Sequence, residues 1–219
     1  MELISAERPY ESRKLNPQRL EAVRKHGGES VLDVGCGNGT YVFALKNEKQ
    51  IRGVDYRFYE EWKTAPELFE VAEADALKEY ANDSIDTIVS FETLEHLPDP
   101  EKALREYHRV CRHNIVVTVP NCAITPGIKK SNLLYSHWSD PSHLNFFTLD
   151  SLKALIESAG FSIKEAHYIN RLDVRPFVLE AFKLRGPLAK VLSKVLRLLP
   201  SESYFITCLV VAEKRAQGA

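Results

Sequence analysis

The ten residues from Val31 to Thr40, VLDVGCGNGT, constrain this chain more than any other stretch. A short apolar run ends at the acid Asp33 and passes into alternate glycines, Gly35, Gly37 and Gly39. Glycine takes up left-handed backbone without a Cβ penalty and lets the chain approach a ligand closely. The pattern therefore predicts a buried parallel strand that turns sharply into a helix. The first turn of that helix would offer unpaired N–H groups and a positive dipole end, which favour a ligand carboxylate or phosphate. The stretch reads as a nucleotide-type cofactor site.

The spacing narrows the cofactor. A dinucleotide fingerprint G-x-G-x-x-G needs its third glycine at position 40, where this chain has Thr40, which argues against pyrophosphate and a nicotinamide oxidoreductase. Residues 51 to 55, IRGVD, read as a second strand ending in Asp55, at the offset where an acid hydrogen-bonds ribose hydroxyls. Residues 70 to 75 read as a third strand, and residues 84 to 96, SIDTIVSFETLEH, as a fourth strand with its loop. Each acid alone could be a solvated strand end; their recurrence at these offsets is what carries the reading.

An acid two residues before G-x-G-x-G resembles motif I of the class I S-adenosylmethionine-dependent methyltransferases, here Asp33, Gly35, Gly37 and Gly39. The resemblance implies a Rossmann-like, doubly wound α/β fold with a seven-stranded, mostly parallel sheet whose last strand is antiparallel. It places Asp75 and Ala76 against the adenine and adds Phe91 to the cofactor-binding residues. It implies methyl transfer to a hydroxyl or amine of a small molecule. A different class remains open, a cofactor-binding scaffold that keeps the fold without catalysis.

At 219 residues and 44% hydrophobic content the chain can bury one good core, so residues 1–219 are expected to form one domain. Twenty-nine Lys and Arg against 30 Asp and Glu leave no global field that would attract nucleic acid. Cys36, Cys111, Cys122 and Cys208 are scattered without a C-x-x-C pair, which fits a reducing cytoplasm and suggests neither a disulfide framework nor a thiolate zinc site. Neither a signal peptide nor an apolar run of spanning length is visible, so a soluble protein is expected.

Asn16-Pro17 predicts a helix start and Gly27-Gly28 its stop. Further helices are expected over 40–47, from Asp99-Pro100 to about Arg112, and from Thr148 to Ala159, with strands at 114–120, 161–169 and 204–213.

A second constellation follows strand four in FETLEHLPDP, at the sheet edge where open α/β folds bind ligands. If Glu92 to His96 form one helical turn, Glu92, Glu95 and His96 share a face. The stretch YSHWSDPSHLNFFT would add His143 if it folds over that edge, with His137 more exposed or substrate-facing. Two carboxylates and two imidazoles suit Mg²⁺, Mn²⁺ or Zn²⁺. The E-x-x-E-H turn with a later His is similar to ubiquinone-pathway O-methyltransferases and to small-RNA 3′-end 2′-O-methyltransferases, which implies a metal gripping substrate hydroxyls. Leu97 departs from the RNA branch. E-x-L-E-H turns also occur in methyltransferases without metal, where His96 packs beside the cofactor.

Residues 121–147 are long for a plain connection and are expected to form a substrate lid lined by Tyr135, Trp138, Phe146 and Phe147. Residues 174–200 are expected to insert a helical cap. Within it, 187–199 sets Leu188, Val191, Leu192, Val195, Leu196 and Leu199 on one face and Lys190, Lys194 and Arg197 elsewhere. The face could pack over the sheet or substrate, contact a membrane surface, or form a dimer contact.

Overall fold

The computed structural model describes residues 15–131, 138, 140–173, 175–198 and 204–215. Its strands are β1 (Ser30–Val34), β2 (Gln50–Asp55), β3 (Phe69–Val71), β4 (Ile85–Phe91), β5 (Cys111–Pro120), β6 (Phe161–Arg171) and β7 (Phe205–Lys214). They form one seven-stranded sheet in the order β3-β2-β1-β4-β5-β7-β6. The first five run parallel, and β7 lies antiparallel between β5 and β6. This is the Rossmann-like α/β architecture expected from the sequence.

Both faces of the sheet are covered, which is why its central strands read as continuous apolar runs. Side chains alternate across the sheet. Leu32, Ile88, Ile115 and Val210 pack on one side with α3 (Pro100–Val110) and α5 (Leu149–Ser158), through Leu104, Tyr107, Leu152 and Ile156. Val31, Val89, Val116 and Leu209 pack on the other with α1 (Pro17–His26) and α2 (Thr40–Leu45), through Leu20, Val23, Val42 and Leu45.

The helix ends follow the capping chemistry of the sequence. Asn16 accepts from the Gln18 and Arg19 N–H groups, and the Asp99 carboxylate accepts from Lys102 N–H at 2.8 Å. Thr148 and Ser151 satisfy each other's backbone N–H groups as a capping box. Two elements are shorter than expected. Helix α2 stops at Leu45, and β3 ends at Val71 because its partner β2 ends at Asp55, the last residue of their shared ladder.

The connection after β5 holds a short helix, α4 (Pro126–Lys130), and its later part returns to the sheet, where Cys122 N–H donates to Phe147 O at 2.8 Å. Phe147 is core rather than lid lining, while Trp138 stacks on the exposed Phe146 with ring centroids 4.5 Å apart. Tyr135 and His137 lie outside the described residues.

The connection from β6 to β7 forms α6 (Arg175–Ala181) and α7 (Gly186–Leu198), packed on each other. The apolar face expected on 187–199 is partly covered and partly open to water. Leu192 and Leu196 are half-buried, whereas Leu188, Val191 and Val195 face outward, and Leu199 lies outside the described residues.

Candidate active site

The glycine turn follows β1 at the carboxyl edge of the sheet. Gly35, Gly37 and Gly39 all have positive φ, 77°, 56° and 83°, the left-handed region expected of them. The turn is fixed at Gly37 from both sides. Its N–H donates to the Asp55 carboxylate at 2.8 Å, and its carbonyl accepts from the Trp62 indole at 2.9 Å. A Cβ on Gly35 would collide with the Thr93 hydroxyl, so the loop after β4 packs directly on the turn.

Beside this turn is a cavity of about 460 Å³, within the range of small-ligand sites. Gly35, Asp55, Ala72, Ala74, Glu92, Thr93 and His96 contribute to its wall. Tyr56, Arg57 and Tyr59 also line it, and the sequence reading missed them. Their signal was the cluster YRFY directly after the strand-ending acid. The Arg57 guanidinium sits 5.4 Å from the Tyr56 ring centre and 4.9 Å from that of Tyr59, giving this wall a cationic and aromatic character. Trp62 carried no local signal, because its role depends on a carbonyl distant in sequence.

Of the expected cofactor residues, Gly35 and Asp55 line this cavity, whereas Asp33, Gly37, Gly39, Asp75, Ala76 and Phe91 are not among its lining residues. Asp75 lies past the end of the shortened β3, and its carboxylate meets Lys102 Nζ at 2.8 Å, leaving Ala72 to Ala74 as the nearby cavity wall. Ala76 lines a neighbouring depression instead. Phe91 is core, 1% exposed, edge-on to Tyr41 at 4.8 Å and covered by the Arg19 guanidinium. Strand alternation turns Phe91 to the face packed by α1 and α2, and it is not among the cavity's lining residues. Asp33 is buried near the end of β1, within the strand that leads into the glycine turn.

The Glu92–His96 segment is not one helical turn. Glu92 adopts left-handed backbone at φ 52°, and only Leu94–His96 form a 3₁₀ turn. Glu92 is thereby sent to Arg19, with which it ion-pairs, and it accepts from the Thr118 hydroxyl at 3.1 Å. Glu95, His96 and His143 do converge. One ligand atom from each lies within 4.8 Å of the others, with Glu92 outside this group. The His96 and His143 rings meet edge to face at 4.8 Å.

Backbone hydrogen bonds bring the later segment over this turn. Leu144 and Asn145 N–H donate to the Glu95 carbonyl at 2.8 and 3.0 Å, and the Asn145 side-chain amide donates to Leu97 O at 2.7 Å. His96 Nδ1 lies 3.0 Å from Ser142 O. Asp140 accepts from the Ser142 N–H and hydroxyl, and these bonds hold its carboxyl below the usual range, with the nearby His143 acting in the same direction. Glu95 is 1% exposed, whereas the His96 side chain is 38% exposed, so the group spans interior and cavity. One carboxylate and two imidazoles form a donor set suited to a borderline divalent metal or to proton transfer.

A wide seven-stranded α/β sheet with a glycine turn and an acid-tipped second strand beside one cavity defines a class of nucleoside-cofactor enzymes. The chain belongs to the methyltransferase domain family, whose model matches residues 6–166, and it is an S-adenosylmethionine-dependent methyltransferase. An O-methyltransferase of Pyrenophora dematioidea is 26% identical over 95% of this chain and 85% of its own length. A ubiquinone biosynthesis O-methyltransferase of Chromobacterium violaceum is 30% identical over 42% of this chain and 45% of its own. The crystal structure of a SAM-dependent methyltransferase from Archaeoglobus fulgidus superposes with a TM-score of 0.63 at 19% identity, covering 89% of this chain and 92% of that one.

Proposed function

We propose that this enzyme methylates a hydroxyl group of a small molecule, and that Glu95, His96 and His143 handle the hydroxyl proton. The observation that carries this reading is the meeting of those three side chains beside a cavity that His96 lines. S-adenosylmethionine supplies a methyl group on a positively charged sulfur. The acceptor oxygen forms a bond to that methyl carbon as the carbon–sulfur bond breaks, and sulfur becomes neutral.

The chain's own contribution is positioning, exclusion of water and removal of the proton. The glycine turn and Asp55 hold the cofactor, Asp55 toward the ribose. The cavity volume, with Gly35 and Asp55 in its wall, fits such a nucleoside. His143 and His96 offer imidazole nitrogen to the acceptor hydroxyl, with Glu95 buried beside them. The same three groups suit one divalent cation, which would lower the hydroxyl pKa. Residues 140–146 act as a cover over this edge, a role supported by the bonds from Leu144 and Asn145 to Glu95.

The test is incubation of the purified chain with methyl-labelled cofactor and a small-molecule extract, with products read by mass spectrometry. Labelled methyl ethers should form and be lost in His143→Ala. Chelation followed by Mg²⁺, Mn²⁺ or Zn²⁺ then distinguishes metal from simple acid–base assistance. Labelled amines alone would refute the hydroxyl assignment. Product-nucleoside binding without transfer to any acceptor would identify a scaffold.

A further inference from the structure

We infer that the α6–α7 hairpin docks the protein on an anionic lipid surface. On α7, Leu188, Val191 and Val195 recur at offsets of three and four and are 62%, 59% and 47% exposed. Phe182, just before the helix, is 72% exposed, and Phe177 on α6 is 59% exposed. Large apolar side chains so grouped and so open to water mark a binding face rather than ordinary surface.

Charge identifies the occupant. Across 175–198 the basic residues are Arg175, Lys183, Arg185, Lys190, Lys194 and Arg197, against the single acid Glu180, while the whole chain carries net −1. Arg175 is engaged by Asp173 at 2.6 Å, whereas Lys183, Arg185, Lys190 and Lys194 are exposed on the same hairpin. An apolar face with a lysine-rich margin buries its side chains among acyl chains and meets phosphate headgroups at its rim. A second copy of this chain would set two cationic rims against each other across a symmetric interface.

Dimensions make the hairpin lie on the bilayer rather than cross it. A helix of 13 residues is about 20 Å long, short of the roughly 30 Å hydrocarbon core. None of the described helices is long and apolar enough to cross a membrane. Strand β6 runs in the same direction as β5, since both are antiparallel to β7, so the hairpin leaves the sheet at its carboxyl edge. Docking would therefore turn the edge that carries the glycine turn toward the lipid. The inference stands independently of the acceptor chemistry proposed above.

The test is co-sedimentation of the full chain with vesicles of phosphatidylcholine alone and of phosphatidylcholine with phosphatidylglycerol. Binding should require phosphatidylglycerol and weaken as salt rises. The exposed pair Lys190→Gln with Lys194→Gln should lower the partition coefficient roughly thirtyfold, from the contribution each basic residue makes near an anionic surface. Val191→Ser with Phe182→Ser should lower it at least about tenfold. Unchanged circular dichroism and product-nucleoside affinity in both variants would exclude misfolding. Equal sedimentation with both vesicle types, or wild-type binding by both variants, would overturn the proposal. So would a dimer in sedimentation equilibrium that the Val191 and Phe182 variant dissociates while vesicle binding is absent.

Discussion

Replacing Asp55 by Ala tests the centre of the cofactor reading. One carboxylate oxygen accepts from Gly37 N–H at 2.8 Å, and the side chain borders the cavity while only 6% of the residue is exposed. A hydrogen bond to a charged group contributes about 1.5–3 kcal/mol. Losing the bond to the turn and one to a ribose hydroxyl should weaken product-nucleoside binding about 10²- to 10⁴-fold. Calorimetry with S-adenosylhomocysteine and its 2′-deoxy analogue separates the two parts. The native chain should favour the ribose form by about tenfold or more, and Asp55→Ala should lose that preference. Asp55→Asn keeps an oxygen for the Gly37 N–H without the charge, so it should retain the turn's geometry with an intermediate affinity. If Asp55→Ala binds S-adenosylhomocysteine within about threefold of the native chain, the ribose assignment fails. An unchanged preference over the deoxy analogue would refute it equally.

Asp86 accepts from the Glu29 and Ser30 N–H groups at 3.1 and 3.0 Å and pairs with Arg112 at 2.7 Å. The bonds from Ser30, the largest influence, and the nearby Arg112 depress its carboxyl. Its stabilisation is therefore complete above the unfolded carboxyl's ordinary range and is lost as pH falls through the lower folded value. Asp86→Asn should cost about 1.5–3 kcal/mol at neutral pH, and the gap to the native chain in urea unfolding should narrow as pH falls through the depressed folded value. Arg19→Ala should destabilise by about 3–5 kcal/mol by leaving the Glu92 carboxylate without its guanidinium, and Arg19→Met with Glu92→Gln should recover much of that in the same measurement. Burial pushes the Cys111 and Cys122 thiols up to about 11 and Cys208 to about 12, so neutral iodoacetamide should label them only after unfolding. Rapid native labelling, read by intact mass, would contradict that burial.

The parts of the fold written in local chemistry were legible in the sequence. Asn16-Pro17 and Thr148 mark their helices because capping is decided within a few residues. The continuous apolar strands declare a doubly covered sheet, and the alternate glycines declare a left-handed turn. The third strand is shorter than residues 70–75 suggested because its ladder with β2 ends at Asp55 and Val71, a pairing distant in sequence. The Glu92 turn failed as a helix because offsets of three and four assume helical dihedrals. The buried Arg19 guanidinium instead accompanies a left-handed residue there. Trp62 carried no such local signal, since the Gly37 carbonyl reaches it only in the folded chain, whereas the Arg57 aromatic wall was written locally in YRFY.

That departure at Glu92 also separates the two halves of the site. Had the chain continued as a helix from Phe91, the Glu92 carboxylate would have joined Glu95 and His96 on one face. The left-handed step commits Glu92 to Arg19 and Thr118, and the next residue, Thr93, packs against Gly35 of the cofactor turn. The 3₁₀ turn that follows carries Glu95 and His96 to the returning segment, where the Glu95 carbonyl accepts from Leu144 and Asn145. Thr93 packs on the glycine turn and Glu95 joins the His96 and His143 group proposed to meet the acceptor, with only Leu94 between them. The distance from cofactor to acceptor groups is therefore governed by a very short stretch of backbone. In a displacement reaction the alignment of the two reactants sets much of the barrier. Variants that relax the turn at Glu92 should consequently impair methyl transfer more than binding of either ligand alone.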